Sequence, residues 1–136
     1  MKLLTLALLL LSTTTYAQSV RPGLWKAESS FTINGIELPD SKGEDCISSK
    51  DAKDIKAAIM KKIEKKGCKA TKWSAKGQNI QVSLTCKKSG LDAKGDLRGT
   101  ITDTKYDLKG EAEGEFHKLP SQAVISLQGN WVKACK

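Results

Sequence analysis

The sequence predicts an α+β fold that is mostly β. We expect a curved antiparallel sheet, or a small open barrel, of about six or seven strands, with one α-helix inserted after the first hairpin and two disulfides. Three observations lead to this fold class. Apolar and polar residues alternate along most of the chain, one stretch repeats its apolar residues at helical spacing instead, and four cysteines are present.

The first 17 residues have the pattern of an export signal. Lys2 precedes an apolar stretch, Leu3 to Leu11, that is too short to span a bilayer, and Thr15-Tyr16-Ala17 approximates a cleavage site. We therefore predict a signal peptide at 1–17 that is cleaved after about Ala17, followed by a single disulfide-bonded domain at 18–136. The predicted location is periplasmic or secreted.

The first hairpin is predicted a few residues after this segment. From Trp25 to Ile33 every second residue shares one face, as in a half-buried strand. Asn34-Gly35 is a strong hairpin signal because both residues tolerate positive φ, and a short return strand then ends at Pro39. The next segment, 40–47, is predicted to be a polar loop that contains Cys46.

A single helix is predicted at about 49–66. Ser48 suits the N-cap and Gly67 suits the C′ position. Acidic residues lie in the first turn and lysines in the last turn, as the helix dipole favours. The apolar stripe of this helix repeats every three or four positions and consists of Ala52, Ile55, Ile59 and Ile63.

The rest of the chain is predicted to form strands. Leu119-Pro120-Ser121 is expected to interrupt the chain, and Gly129 is expected to form a bulge in the last strand. The predicted strands lie at 69–75, 80–87, 93–102, 105–116 and 123–133.

The four cysteines are expected to form two structural disulfides, because their number is even, the chain is exported and no CxxC spacing is present. Cys68 and Cys86 bracket a predicted hairpin, which favours their pairing and leaves Cys46 for Cys135. This pairing conflicts by one residue with the register that the apolar pattern of the same hairpin requires. A bulge, or a position of Cys68 just before the strand, would resolve the conflict.

Few residues suit catalysis, and we expect no enzyme activity, no metal and no cofactor. The only histidine, His117, lies in a predicted turn, and no serine lies in a nucleophile-elbow context. Three carboxylates, Glu111, Glu113 and Glu115, project from one face of a strand. This pattern favours a solvated face, with a calcium site or a paired acid and base as weaker alternatives.

Positive charge is concentrated in the middle of the chain. Residues 18–49 carry a net charge of −2, residues 50–98 carry +9 and residues 99–136 are neutral. Arginine, which specific phosphate and nucleic-acid readers favour, occurs only twice, and a plain solvated surface explains the same pattern. The candidate anion-binding residues, on the outer side of the helix and on the next strand, are Lys50, Lys53, Lys61, Lys65, Lys69 and Lys72.

Several segments make the chain resemble a known family. They are RPGLW at 21–25, EDCISSKDA at 44–52, GCKATKW at 67–73, VSLTC at 82–86 and LQGNWVKAC at 127–135. Together they resemble the bacterial domain-of-unknown-function family 3617. The resemblance implies a small exported protein of a Gram-negative bacterium with a shared disulfide scaffold, and it implies no catalytic residues. The long lysine-rich helix departs from the family pattern.

The leading functional expectation is a non-enzymatic exported binding or envelope-associated protein, whose partner is an anionic cell-envelope polymer or a lipid headgroup. The alternative is a carrier of a small apolar ligand inside a calycin-like curved sheet, which requires a cavity instead of a filled core. A third class, an enzyme that uses the glutamates, requires two of them to lie in a cleft.

Overall fold

The structure is a computed structural model that describes residues 19–65 and 67–136, so the predicted signal peptide lies outside the described residues. Within these ranges there are two helices, α1 (Ser49–Lys53) and α2 (Ile55–Lys65). The strands are β1 (Gly23–Ile33), β2 (Ile36–Glu37), β3 (Ser41–Ile47), β4 (Cys68–Lys76), β5 (Asn79–Lys88), β6 (Leu91–Ile101), β7 (Lys105–Phe116) and β8 (Leu119–Lys133).

All eight strands form one antiparallel sheet with the order β2-β1-β8-β7-β6-β5-β4. Strand β3 pairs with β1 on the edge opposite β8, beside β2. Within the described ranges β3 does not pair with β4, so the sheet stays open between these two edges. The predicted fold class is confirmed: the protein is mostly β, with an open antiparallel sheet, a small helical segment and two disulfides.

The first hairpin is confirmed, and the loop predicted at 40–47 is wrong. Asn34 and Gly35 form its turn with φ of 50° and 79°. Ser41 to Ile47 form a strand that pairs with β1 from Gly23 to Ser29. The sequence of β3 lacks apolar alternation because an exposed edge strand is held by its backbone ladder and often carries charged side chains.

The helix predicted at 49–66 is interrupted at Asp54, whose backbone leaves the helical region (φ −135°, ψ 75°). The carboxylate of Asp54 accepts a hydrogen bond from the Ala57 N–H (3.2 Å), so this residue ends α1 and caps α2. Ser48 caps α1 as predicted, accepting from the Asp51 N–H (3.2 Å). Ala52 and Ile55 on the predicted stripe are buried.

A bulge in β4 resolves the register conflict around the disulfide. Cys68 lies directly opposite Cys86, whereas Trp73 lies opposite Val82, and the register shifts between Ala70 and Lys72. One additional residue in β4 therefore lets both pairings hold in the same hairpin. Both disulfides are confirmed as Cys68–Cys86 and Cys46–Cys135.

Two predictions for the last strand are wrong. The turn lies at 117–118, and β8 begins at Leu119 and includes Pro120. The ladder between β1 and β8 ends at the pair Ile33 and Ala123, so β1 does not pair with Pro120. Pro120 therefore lies at a sheet edge, where a missing N–H is tolerated. Gly129 keeps regular register with both neighbouring strands, and the Tyr106 ring occupies the space that a Cβ at Gly129 would need.

The core lies on one face of the sheet, here called the inner face, which packs against α1 and α2. Trp25 is its largest buried side chain, with an exposed fraction of 1%, and it stacks on Tyr106 at 6.0 Å between ring centroids. Trp73 and Phe31, also predicted on apolar faces, are half-buried. The core residues, from the helices and β1, β5, β6 and β7, include Ala52, Ile55, Ile80, Val82, Leu84, Leu97, Ile101 and Leu108.

The segment before β1 is fixed by two tryptophans. The Trp25 indole N–H donates to the Arg21 carbonyl (2.9 Å), and the Trp131 indole N–H donates to the Pro22 carbonyl (3.1 Å). Gly23 has φ 146° and lies against Trp131, where a Cβ would overlap the indole nitrogen. Pro22 and Gly23 therefore direct the chain into the sheet.

We predict that Trp25→Ala lowers the free energy of unfolding by about 3–5 kcal/mol, because it leaves a cavity in the core and removes the contact with Tyr106. The half-buried Trp73 is the control, and Trp73→Ala should cost less than half as much. Urea denaturation with both disulfides intact measures both values. Equal losses for the two variants would contradict the anchoring role of Trp25.

Candidate functional site

Four of the six predicted lysines lie at the β4 edge of the sheet, Lys61 and Lys65 on α2 and Lys69 and Lys72 on β4. Lys50 and Lys53 lie on α1, which directly follows β3 at the other end of the helical segment, and all six are exposed. The Nζ of Lys56 on α2 is 5.9 Å from the ring centroid of Trp73 on β4, so α2 lies along this edge. We name the exposed lysines of this edge the basic edge: Lys61 and Lys65 on α2, and Lys69, Lys72 and Lys76 on β4.

The basic edge has two sides. The lysines of the helices point away from the stripe that packs on the inner face. On β4, Cys68, Ala70 and Trp73 share the inner face, so Lys69 and Lys72 lie on the outer face. The lysines therefore surround one edge of the sheet and do not form a single flat patch.

The opposite edge of the sheet carries the opposite charge. Residues 55–76, which form α2 and β4, contain eight lysines and one acidic residue, a net charge of +7. Residues 23–47, which form β1, β2 and β3, contain two lysines and five acidic residues, a net charge of −3. Four strands, β8, β7, β6 and β5, lie between these two edges in the sheet order, so the sheet is electrostatically polarised.

The lysines of the basic edge are not used in the ion pairs found among the described residues. Those pairs join Arg21 to Asp103 (3.0 Å), Lys42 to Glu28 (3.5 Å) and Lys87 to Asp92 (4.0 Å). The charges of the basic edge therefore remain available to a partner.

The three glutamates lie on the outer face of β7 and are exposed. Glu111 and Glu113, with Asp92 and Asp96 from β6, line a shallow cleft that is open to solvent. The part of the chain that the structure describes contains no cluster of histidine, cysteine or carboxylate groups that could hold a metal ion. This arrangement is that of a solvated acidic face.

His117 lies in the turn between β7 and β8, as predicted, with φ 50°. Its exposed ring packs edge-on against Phe116 at 4.3 Å and covers Gly90 in the neighbouring turn. These contacts give the histidine a role in joining two turns.

The sequence analysis missed an apolar surface on the inner face. At the end of the sheet formed by the turns at 34–35, 89–90 and 117–118, four large side chains are exposed: Ile36 (68%), Leu38 (41%), Phe116 (42%) and Leu119 (68%). Strand register places them on the inner face with half-buried neighbours. We name this surface the apolar strip: Phe31, Ile33, Ile36, Leu38, Leu91, Ala112, Phe116, Leu119, Ala123 and Ile125.

The strip is exposed because α2 is short. Its 11 residues span about 16 Å and pack on the β4 side of the sheet. The inner face of β1, β7 and β8 near the turns therefore has no helix above it. Apolar alternation alone could not reveal this, because it is identical for covered and uncovered strands.

Burial raises the pKa of the Tyr106 hydroxyl, and the negative charge of Asp45 on β3 raises it further. Both effects disfavour the phenolate. Since the folded-state pKa exceeds the ordinary value of 10.0, the contribution of Tyr106 to stability is complete below that pH. It is lost as the pH rises through the folded-state pKa.

Tyr106 is the only tyrosine after residue 17, so absorbance at alkaline pH reports on it alone once the signal is removed. We predict a pKa above 10 for the folded protein, and Asp45→Asn should lower it because a negative charge is removed. Glu44→Gln, the neighbour on the other face of β3, is the control and should leave the pKa nearly unchanged. Equal shifts in the two variants would contradict the assignment of Asp45.

Among the described residues, no helix has the length and apolar character needed to cross a membrane.

Comparison with known proteins returned a single finding. No curated protein and no solved structure matches the chain. Residues 20–135 match the family model described as "Protein of unknown function (DUF3617)", which confirms the resemblance carried by the RPGLW segment and the four cysteines. The matched region contains every helix and strand of the sheet, and the chain belongs to this family of proteins of unknown function.

Proposed function

We propose that this protein is a non-enzymatic, exported binding protein whose basic edge contacts an anionic cell-envelope polymer or lipid headgroups. The observation that carries the proposal is the separation of charge, with +7 over residues 55–76 and −3 over residues 23–47 at opposite edges of one sheet. Such a distribution attracts an anionic surface to one edge and repels it from the other. The protein would therefore meet an anionic surface with its β4 edge and hold its β3 edge away from that surface.

The chemistry of the basic edge supports an anionic partner with many repeated charges. Lysine ammonium groups act as point charges on flexible side chains. They cannot make the paired hydrogen bonds by which the planar guanidinium of arginine binds a single phosphate. A set of lysines around an edge gains affinity through the number of contacts, each worth about 1 kcal/mol beside an anionic lipid surface. A polymer or a membrane surface offers that number of anionic groups.

The remaining side chains support a role without catalysis. All four cysteines are in disulfides, which removes thiolate nucleophiles. Glu111 and Glu113 lie in an open cleft, where solvent screens their charges, and catalytic carboxylates usually depend on burial or close pairing.

Export is supported by the two disulfides, since such bonds form and persist in oxidising compartments. The N-terminal 17 residues would supply the export signal, and cleavage after Ala17 would leave Arg21 and Pro22 free to receive the two indole N–H groups.

The alternative function, a carrier of a small apolar ligand, is favoured by one observation, the apolar strip. Trp25 and the residues of β5 and β6 fill the interior beneath the helices. An apolar ligand would therefore lie along the exposed strip near the turns.

We predict that the protein binds vesicles containing anionic phosphatidylglycerol at low salt and that its affinity falls as salt rises. Lys69→Gln with Lys72→Gln should weaken binding about 30-fold, because each lysine contributes about 1 kcal/mol at the surface. Co-sedimentation in dilute salt measures the affinity.

The matched control is Lys26→Gln with Lys109→Gln, which removes the same charge from exposed outer-face positions far from β4. This control should change the affinity less than threefold. Absence of binding at low salt, binding that is independent of salt, or equal losses in both double variants would contradict the proposal.

A further inference from the structure

The apolar strip crosses five neighbouring strands, from β2 through β1, β8 and β7 to β6. Register places Ile33 beside Ala123, Ala123 beside Ala112, and Phe116 between Leu91 and Leu119. Leu38 extends the strip past β1, where its N–H donates to the Phe31 carbonyl (2.9 Å). On the inner face, the pair Gly114 and Ser121 lies between the two parts of the strip.

The strip has a centre of small residues, here called the trough. It consists of Ala112 and Ala123, with Gly110 and Gly114 beside them on the inner face of β7. Larger side chains of β1 and β2 lie along one side of the trough, and Phe116 and Leu119 lie at its turn end. Along β7, the distance from Gly110 to Phe116 is about 20 Å.

Glycines of β6 and β7 line the trough on the inner face. A Cβ at Gly95, Gly110 or Gly114 would overlap backbone atoms of the adjacent strand, so only glycine permits β6 and β7 to approach in this way.

Positive charge lies at the turn end of the trough. Lys88 belongs to the inner face by register, opposite Leu91, and its aliphatic carbons pack against Gly67 at the end of α2. Lys118 lies in the turn that joins Phe116 to Leu119. By contrast, Lys87 faces the outer side and pairs with Asp92 (4.0 Å).

The acidic groups of this end lie on the other face. Asp92, Glu113 and Glu115 alternate with inner-face residues of β6 and β7 and are therefore on the outer face. Lys88 and Lys118 therefore supply positive charge at the turn end of the trough, and the carboxylates of this end lie on the opposite face.

We propose that the trough binds a single-chain anionic amphiphile, with the hydrocarbon chain along the apolar strip and the carboxylate or phosphate headgroup at Lys88 and Lys118. This inference rests on the alternative function and specifies its ligand. Two lysines at one end of an apolar surface match a ligand that has one anionic end and one hydrocarbon chain.

Calorimetric titration with monomeric dodecanoate, below its micelle concentration, tests the proposal. Dodecanoate should bind, and Leu119→Asp and Ile36→Asp, on separate strands, should each weaken binding at least about tenfold because apolar contact is lost. Val124→Asp is the control, since Val124 lies on the outer face of β8 with a similar exposed fraction (51%), and it should change the affinity less than twofold.

The headgroup is tested with the uncharged alcohol dodecanol. Lys88→Gln with Lys118→Gln should weaken dodecanoate binding about tenfold and leave dodecanol binding unchanged. Equal binding of the two probes with no effect of the lysines would overturn the headgroup assignment while the apolar carrier function stands.

Failure of both probes to bind, or losses in Val124→Asp equal to those in Leu119→Asp, would overturn the trough and the carrier function together. Vesicle binding through Lys69 and Lys72 is a separate measurement on another surface. The proposed contact of the basic edge can therefore succeed or fail independently of these results.

Discussion

The pairing of the first strand with the last is the interaction on which the rest of the structure depends. β1 and β8 pair from Leu24 to Ile33, and the indole groups of Trp25 and Trp131 lie opposite each other. Each indole N–H is bound by a carbonyl of the segment before β1, and Arg21 lies 5.0 Å above the Trp131 ring while pairing with Asp103. Among the described strands, β2 and β3 pair with the sheet through β1, and the Cys46–Cys135 disulfide ties β3 to the residues just after β8. Loss of the β1–β8 pairing would therefore remove the hydrogen-bonded ladder that joins the acidic edge to the rest of the sheet.

The open sheet explains both candidate surfaces. A closed barrel has no edges, whereas this sheet ends at β3 on one side and at β4 on the other. The lysines of β4 protect an exposed edge from pairing with another chain, and they also create a positive surface beside the helices. The short α2 covers the inner face only on the β4 side, so the opposite part of that face forms the apolar strip. The open sheet and its short helix α2 therefore leave both a charged surface and an apolar surface exposed on the same molecule.

Local patterns were sufficient to predict most of the fold. Alternation located β1 and β4 to β8, Asn34-Gly35 located the first turn, and the bracketing of a hairpin by Cys68 and Cys86 indicated the disulfides. The errors arose where tertiary context decides: β3 is held by β1 despite a polar sequence, and Asp54 caps a second helix where the apolar stripe continues unbroken. The lysines were identified from sequence, but their division between two sides of an edge depends on the sheet. The apolar strip is exposed because no helix packs over it. A local sequence pattern does not show which strands a helix covers.

We propose that the basic edge is the surface that contacts an anionic partner. Hydrogen exchange of backbone amides, measured with and without anionic vesicles, tests it most directly, because the unpaired amides of an edge strand exchange readily when exposed. We predict slower exchange in β4 and in α2 on vesicle binding, with β2 and β3 unchanged. Slower exchange in β3, or no difference between the two edges, would contradict the account.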